Sequence, residues 1–355
     1  MMEEPHEAQI QLQFMPLLNA CPELLALLHA AGLTSAAALA ATCSCAVSVR
    51  NALPEVARCA PAAGVLLLRA EYPQLLHCPD LSVGAWHEVP LPEGTPTYLC
   101  CAATFHRDHI YIVGGGAPYL DGKVAYATSY DLKSGTWLEL PPMPTARSHC
   151  AAVGVSGRLM VIGGLADDHQ KMDTVEVLDL EQGGEWEGWS SLPTSLSWCS
   201  ALFAWRLGCV VTMGCDDRQS HLFRFELATR EWVALPQMPR QRWHPALVEM
   251  AQYLFTIGGI ILPDEEVGAV DVFDLRAGRW ESIHGLSGLS IPDMPEARMD
   301  PAACACAGRL YVLGGMQAGP TEVVECLDLC SKQWQRLPDM KDRFSATGTA
   351  ITCIG

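Results

Sequence analysis

Charged side chains are scarce in this chain, and positive ones are scarcer still. Of its 355 residues only 18% are Asp, Glu, Lys or Arg, which is too few for a disordered or coiled-coil protein. Lys and Arg number 23 against 40 acidic residues, giving a formal net charge of -17. No basic stripe is visible, so we expect no nucleic-acid partner. The acidity itself indicates little beyond solubility.

Two kinds of segment are also missing. No apolar run reaches the roughly 20 residues that span a bilayer, and residues 1–7 are acidic where a secretory signal would be basic. We therefore expect no membrane partner and a cytoplasmic or nuclear location. The 16 cysteines are scattered without CxxC pairs, which predicts free, mostly buried thiols in a reducing compartment and no metal or cofactor site.

What the sequence does contain is a repeat. A short hydrophobic segment closed by two glycines occurs at 111–115, 160–164, 255–259 and 311–315. A degenerate copy at 211–215 has Cys215 in place of the second glycine. The first glycines stand at 114, 163, 214, 258 and 314, and tryptophans follow at 137, 189, 232, 280 and 334. A period near 50 residues indicates repeated supersecondary units.

Residues 147–193 show what one unit contains. Two apolar segments, 151–155 and 158–162, are joined by a Ser-Gly turn. Residues 174–179 then alternate between apolar and polar, and 189–192 follow a glycine-containing turn. Four short antiparallel strands of this kind make one blade of a β-propeller.

The repeat resembles the kelch motif. The resemblance is carried by the paired glycines, a Tyr-Asp-like dipeptide in the third strand, the tryptophan and a closing Met-Pro element. The first unit shows the last three at 130–131, at Trp137 and at 143–144. The resemblance implies a mainly β fold, a kelch β-propeller.

We predict six blades. Five complete motifs run from near residue 97 to 340. Residues 64–70, 74–78 and 86–90 match the second, third and fourth strands of a blade, and 344–355 match a first strand with nothing after it. A blade shared between the two ends would close the ring and leave no loose edge. The propeller would then occupy 61–355, and 1–60 would form a separate helical segment.

Residues 1–60 follow a helical pattern instead. Leucines are dense over 22–29, Gly32 interrupts them, and 36–50 is rich in alanine, which predicts two short helices. The segment resembles the F-box, which docks an adaptor of cullin-type ubiquitin ligases. The matching residues, and so the implied adaptor contacts, are Pro22, Leu24, Leu25, Leu28, Leu33 and Leu39. A plain helical cap on the propeller is the alternative.

A recurring set of side chains precedes the first strand of each unit. In kelch substrate receptors this position lines the channel mouth, so the resemblance implies a peptide-binding rim. Its predicted members are Tyr98, Arg147, His149, Trp198, Arg242, Trp243, His244, Arg298, Arg343 and Phe344. Because arginine pairs well with carboxylates and phosphates, the expected ligand is an acidic or phosphorylated peptide. Alternatively, the arginines only hold backbone carbonyls where blades meet.

These features favour a binding protein over an enzyme. No Ser-His-Asp order, phosphate loop or HExxH motif is recognisable. We expect a protein-interaction module that serves as the substrate-recognition subunit of a cullin-type ubiquitin ligase. A kelch interaction scaffold without a ligase role is the alternative, and a small-molecule propeller enzyme is a third.

Overall fold

The computed structural model describes residues 64–69, 74–89, 99–116, 122–261, 265–281, 291–306, 308–343 and 349–354. All of them lie within one compact unit, Pro61–Gly355. They form strands, turns and loops, and none of them is helical. This part of the chain therefore contains no helix that could cross a membrane. The predicted helices of residues 1–60, the six adaptor-contact residues, Tyr98 and Phe344 fall outside the described residues.

The described part is mainly β, as predicted. In chain order the strands are β1 Gly64–Arg69, β2 Gln74–Cys78, β3 His87–Val89, β4 Ala102–His106, β5 His109–Val113, β6 Ala127–Asp131, β7 Thr136–Glu139, β8 Ala151–Val155, β9 Arg158–Ile162, β10 Val175–Asp179, β11 Glu187–Trp189, β12 Ser197–Ala204, β13 Cys209–Cys215, β14 Ser220–Glu226, β15 Glu231–Ala234, β16 Ala246–Met250, β17 Tyr253–Ile257, β18 Ile260–Ile261, β19 Glu265–Glu266, β20 Val270–Asp274, β21 Arg279–Trp280, β22 Ala302–Cys306, β23 Arg309–Leu313, β24 Val324–Asp328, β25 Gln333–Leu337 and β26 Thr349–Ile354.

Five four-stranded sheets follow the repeats and form a propeller arrangement. Blade 1 is β4–β7, blade 2 is β8–β11, blade 3 is β12–β15, blade 4 is β16, β17, β20 and β21, and blade 5 is β22–β25. The short strands β18 and β19 pair with each other between β17 and β20. In every blade each strand pairs antiparallel with the next strand of the same blade along the chain, so each blade is a meander whose first strand lies at one edge.

Another four-stranded sheet joins the two ends of the described chain. Its order is β26-β1-β2-β3, and we call it the terminal sheet. Strand β26 pairs with β1 from Gly64↔Ile354 to Arg69↔Thr349. The first strands of blades 1–5 contact one another in sequence, and β26 contacts those of blades 1 and 5.

The core consists of hydrophobic layers between neighbouring sheets. Val153 and Ile162 of blade 2 pack with Phe223 and Phe225 of blade 3, for example, and each further pair of consecutive blades shares a similar cluster. The terminal sheet contributes to two layers, one through Leu67 with blade 5 and one through Leu75 with blade 1. Burial between sheets, at roughly 25 cal/mol per Å² of apolar surface, therefore stabilises the arrangement.

The repeated tryptophans tie each blade to the one before it. The indole Nε1–H donates to the preceding blade's backbone in three blades, from Trp232 to Ser190 O (2.8 Å), from Trp280 to Pro236 O (2.7 Å) and from Trp334 to Pro292 O (2.9 Å). In blade 2 the repeat spacing assigned this position to Trp189, and that assignment was wrong. Trp186 makes the bond, to Pro141 O at 2.7 Å, whereas the Trp189 ring stacks on Phe225.

The paired glycines tie each blade to the next. The N–H of the second glycine donates to a carbonyl just before the next blade, as Gly115 does to Arg147 O (2.7 Å) and Gly259 to Arg298 O (2.9 Å). A Cβ on Gly258, the first glycine of its pair, would stand 2.5 Å from the same Arg298 carbonyl oxygen. In blade 3 Gly214 and Cys215 are the last two residues of the longer strand β13, and neither has a left-handed φ, which explains how Cys215 is accommodated there.

Gly258→Ala is expected to be far more destabilising than Gly278→Ala. Both glycines are in blade 4 with nearly the same left-handed φ, +69° and +65°, but an added Cβ at Gly278 meets nothing within 4 Å. Gly278→Ala should cost only the left-handed penalty, about 1–2 kcal/mol. Gly258→Ala should cost about 1–3 kcal/mol more, because the next blade must move away. Urea titration of both variants measures the difference, and equal losses would contradict the close-approach explanation.

Candidate functional site

The first strands surround a channel whose cavity has a volume of about 460 Å³. Residues at the start of β4, β8, β12, β16 and β22 line it, and Ile351 of β26 contributes to its wall. Functional residues commonly lie on loops that a rigid scaffold positions, and the loops before the first strands meet this cavity.

Five lining residues occupy the same repeat position and share one backbone conformation. We call them the mouth residues; with their φ angles they are Cys100 (54°), His149 (52°), Trp198 (53°), His244 (56°) and Asp300 (48°). In blades 1, 2, 4 and 5 they stand two residues before the first strand. In blade 3 Trp198 lies within β12, at the point where the pairing register with β13 shifts. Side chains other than glycine rarely adopt this left-handed conformation, so its fivefold use marks a constrained site.

Backbone hydrogen bonds join the mouth residues across blades. The N–H of His149 donates to Cys100 O at 2.8 Å, and the N–H of Asp300 donates to His244 O at 3.0 Å. His149 O in turn accepts the N–H of Cys199 at 3.1 Å. The main chain thus holds the rim together and leaves the side chains to line the channel.

Four of the mouth side chains form a continuous arc. The Trp198 ring centroid lies 3.8 Å from that of His149 and 4.3 Å from that of His244, both in edge-to-face geometry. His244 Nδ1 is 3.1 Å from Asp300 Oδ1. Trp198 is nevertheless 37% exposed, so this indole is held in place on both sides and still presents a surface to a ligand.

His149 is neutral at physiological pH. Burial lowers its pKa to about 4, and the nearby charges of Lys123 and His244 act in the same direction, while Asp300 opposes them. Its Nδ1 is 2.9 Å from the hydroxyl of Ser148, which is only 1% exposed. The arc therefore combines an indole, the neutral imidazole of His149, the imidazole of His244 and a carboxylate.

His149 should make the fold lose stability in acid. The unfolded chain binds a proton below pH 6.5, whereas the folded chain resists it until pH is near 4, so stability falls as pH drops through this window. The slope approaches about 1.4 kcal/mol per pH unit. His149→Asn should remove this component from the unfolding free energy measured by urea titration between pH 7 and 4. His169→Asn, at an exposed histidine with φ 61°, controls for the substitution itself. An unchanged slope in His149→Asn would contradict the prediction.

The predicted arginine rim was wrong for three of its members. Arg147, Arg242 and Arg298 are at most 1% exposed, because each points into its own blade. There each pairs with an acidic residue of the third strand. The pairs are Arg147–Glu176 at 2.6 Å, Arg298–Glu325 at 2.8 Å and Arg242–Asp271.

Backbone carbonyls complete this buried environment. Arg147 Nη1 donates to Gly163 O at 3.0 Å, and Arg242 donates to Gly258 O at 2.7 Å and Thr256 O at 2.8 Å. The alternative interpretation placed the arginines on backbone carbonyls where blades meet; Arg147 and Arg242 do hold carbonyls, but these carbonyls belong to their own blades. An acidic or phosphorylated ligand therefore loses three of its four predicted arginines, and only Arg343 remains on the surface.

The remaining predicted rim residues divide into two groups. His149, Trp198 and His244 lie together at the mouth as described above. Arg343 is on the surface, where its Nε is 2.8 Å from Glu322 Oε2, and Trp243 bonds to Ile260 through its backbone without lining the cavity. Cys100 was not in the recurring set, and Asp300 belonged to the set through residues 298–300 but was not selected as a rim residue. Counting back two residues from each first strand would have identified both.

Cysteines neighbour the mouth residues in three consecutive blades. Cys101, Cys150 and Cys199 each follow a mouth residue directly. Burial raises the pKa of Cys150 to about 11 and also raises that of Cys199, so both stay protonated. Among the described residues, no group of three or more His, Cys, Asp or Glu side chains is arranged to hold a metal ion.

Comparison with known proteins agrees with the repeat analysis. The Kelch motif matches residues 98–144, 146–193 and 297–341. Kelch-like protein terF of Aspergillus terreus is 25% identical over 67% of this chain and 55% of its own length. Human Kelch domain-containing protein 8B is 28% identical over 57% of this chain and 44% of its own length. Human Kelch-like protein 38 is 25% identical over 50% of this chain and 30% of its own length.

The chain thus spans little more than half the length of the first of these relatives, and less of the other two. The similarity is concentrated on the repeats, and the repeats are the blades. Motif, blade structure and kelch-domain relatives together show that this chain carries kelch repeats, and that these repeats form blades in a β-propeller arrangement.

Proposed function

We propose that this protein is an interaction module that binds a peptide segment of a partner protein at the channel mouth. The observation that carries the proposal is Trp198, a partly exposed indole fixed between two imidazoles at the opening of a cavity. Tryptophans in such settings dominate binding energy at protein interfaces. The kelch propeller is itself a protein-interaction fold, which supports the same conclusion.

The channel mouth offers less support for catalysis. The hydroxyl of Ser148 lies beside His149, but its burial closes it to a substrate. Asp300 is already engaged with His244. These contacts describe a rigid lining better than an acid–base pair poised beside a reacting group.

A ligase role follows from the amino-terminal segment. We propose that Pro22, Leu24, Leu25, Leu28, Leu33 and Leu39 contact a cullin-ligase adaptor, so that the propeller presents its bound partner for ubiquitination in the cytoplasm or nucleus. The support is the F-box resemblance of residues 1–60. A kelch scaffold without ligase function is the competing proposal.

We further propose that the terminal sheet is the sixth blade of a closed propeller. Strand β26 from the carboxyl end supplies its first strand, while β1–β3 supply the other three. The contacts of β26 with the first strands of blades 1 and 5 support this proposal.

One co-purification experiment separates the ligase proposal from the scaffold proposal. Full-length wild type, Leu24→Asp/Leu25→Asp and Trp198→Ala are each mixed with purified adaptor, with Leu17→Asp/Leu18→Asp as a leucine-pair control. Adaptor should bind wild type, Trp198→Ala and the control but not Leu24→Asp/Leu25→Asp. If wild type fails to retain adaptor, the ligase role is wrong and the scaffold proposal stands. Peptide binding by Trp198→Ala, measured below, tests the mouth separately.

A further inference from the structure

Positive charge is largely neutralised near the mouth. Arg147, Arg242 and Arg298 are buried against carboxylates and present no charge to a ligand. On the surface, Arg343 pairs with Glu322, and Lys171 pairs with Asp217. Lys123 also lies close enough for its charge to lower the pKa of His149.

Negative charge is abundant around the same opening. The loops between second and third strands, which we call the crown loops, flank the mouth because backbone bridges join them to the residues before it. These bridges are Ser148↔Leu165, Trp243↔Ile260 and Met299↔Met316. The described crown loops carry the acidic residues Asp167, Asp168, Asp173, Asp216, Asp217, Glu265, Glu266 and Glu322, against the basic residues Lys123, Lys171 and Arg218. Asp217 and Glu322 are the partners of Lys171 and Arg343, so six of the eight acidic residues remain against Lys123 and Arg218. Fields of one sign around a concave opening concentrate ligands of the opposite sign.

The mouth itself supplies a matching pair of contacts. Asp300 is partly buried, and only its Oδ1 is bonded to His244; Oδ2 has no hydrogen-bond partner among the described residues. Trp198 lies two positions from Asp300 along the arc and offers exposed apolar surface. Lysine and arginine side chains combine an apolar stem with a charged end, so they can use both contacts at once.

We propose that the mouth selects a positively charged side chain, a lysine or arginine of the bound segment, whose stem packs on Trp198 and whose charge meets Asp300 Oδ2. This inference rests on the proposed peptide-binding function and specifies its ligand. It reverses the sign of the ligand that the sequence alone predicted.

Binding of labelled full-length protein to immobilised peptide libraries tests the inference. Three libraries of short peptides are used, and each is random except at its central position. That position is Lys or Arg in the basic library, Gln in the neutral library, and Glu or phosphoserine in the acidic library. The basic library should bind about tenfold better than the other two. Trp198→Ala should lose about tenfold of this binding and Asp300→Asn about fivefold. Lys123→Met, which removes a competing charge, should bind more tightly than wild type.

Asp108→Asn is the matched control, since it removes the same charge from the turn between β4 and β5, at the opposite ends of these strands. If Asp108→Asn weakens binding as much as Asp300→Asn, general acidity attracts the peptides and the inference is wrong. If wild type prefers the acidic library and Trp198→Ala loses that preference, the inference of a basic ligand is wrong, but the mouth is still a peptide site. Absence of binding to any library, or full binding by Trp198→Ala, would remove the proposed mouth function as well.

Discussion

Deleting residues 349–355 is expected to unfold the whole propeller in one cooperative step. Strand β26 makes six residue pairs with β1, and Ile351 packs against the layer shared by the terminal sheet and blade 5. The deletion exposes β1 as an edge and breaks the contacts of β26 with blades 1 and 5. At about 1 kcal/mol per hydrogen bond plus the lost burial, the penalty is on the order of 5 kcal/mol, comparable with the stability of many domains.

Thermal melts followed by tryptophan fluorescence and circular dichroism measure this effect. Deletion of residues 1–7 removes the same number of residues outside Pro61–Gly355 and serves as the control. A peptide of residues 344–355 added in trans should restore the lost stability, because the pairing partner β1 is still present. An unchanged melting curve after the carboxyl-terminal deletion would refute a sixth blade shared between the chain ends.

Arg298→Met should destabilise the protein by about 3–5 kcal/mol, whereas Arg298→Met combined with Glu325→Leu should recover most of the loss. Both side chains are nearly inaccessible, and their charged groups are 2.8 Å apart. Burial raises the pKa of Glu325 and lowers that of Arg298, although each partner's charge opposes the change. Removing the arginine alone leaves a buried carboxylate without its partner, but an apolar pair of similar volume has no such charge to bury.

Urea titration of the two single variants and the double variant gives the coupling energy directly. Arg309→Met, which breaks a more exposed pair with Asp328, should cost no more than about 1 kcal/mol. If the double variant is as unstable as Arg298→Met, the buried pair is not the source of the loss. Substituting the buried arginines thus tests folding, and it is unsuitable as a test of peptide capture.

The propeller arrangement could be predicted because its repeats use residues with strict backbone roles. The first glycine of a pair stands where a Cβ would collide with the next blade, as at Gly114, Gly163 and Gly258, so the spacing of the pairs indicated the blades. The tryptophan of blade 2 was misassigned because two tryptophans, Trp186 and Trp189, follow its glycine pair. Trp186, which makes the bond, stands 23 residues after Gly163, the same spacing as between Gly114 and Trp137, so the spacing could have identified it.

The direction of the arginine side chains could not be read from their period alone. A residue that recurs once per blade has the same spacing whether it points to the channel or into the sheet. One internal signal was present, however. Arg147, Arg242 and Arg298 each precede an acidic residue by 27 to 29 positions, and blade 1 has Thr128 in the acidic position. The similar spacing between each arginine and an acidic residue indicates that the two are buried partners, and it would have predicted the burial of the arginines.

Main-chain and side-chain atoms have different roles at the mouth, and this difference affects how binding can change between related chains. Main-chain atoms make several of the bonds between the mouth residues, in addition to the side-chain contact of His244 with Asp300, and one backbone shape accepts Cys, His, Trp, His and Asp in successive blades. These main-chain bonds do not depend on which side chain stands at each position. Single substitutions can diversify recognition while the scaffold is retained, which makes these five positions natural sites for evolving or engineering new specificities.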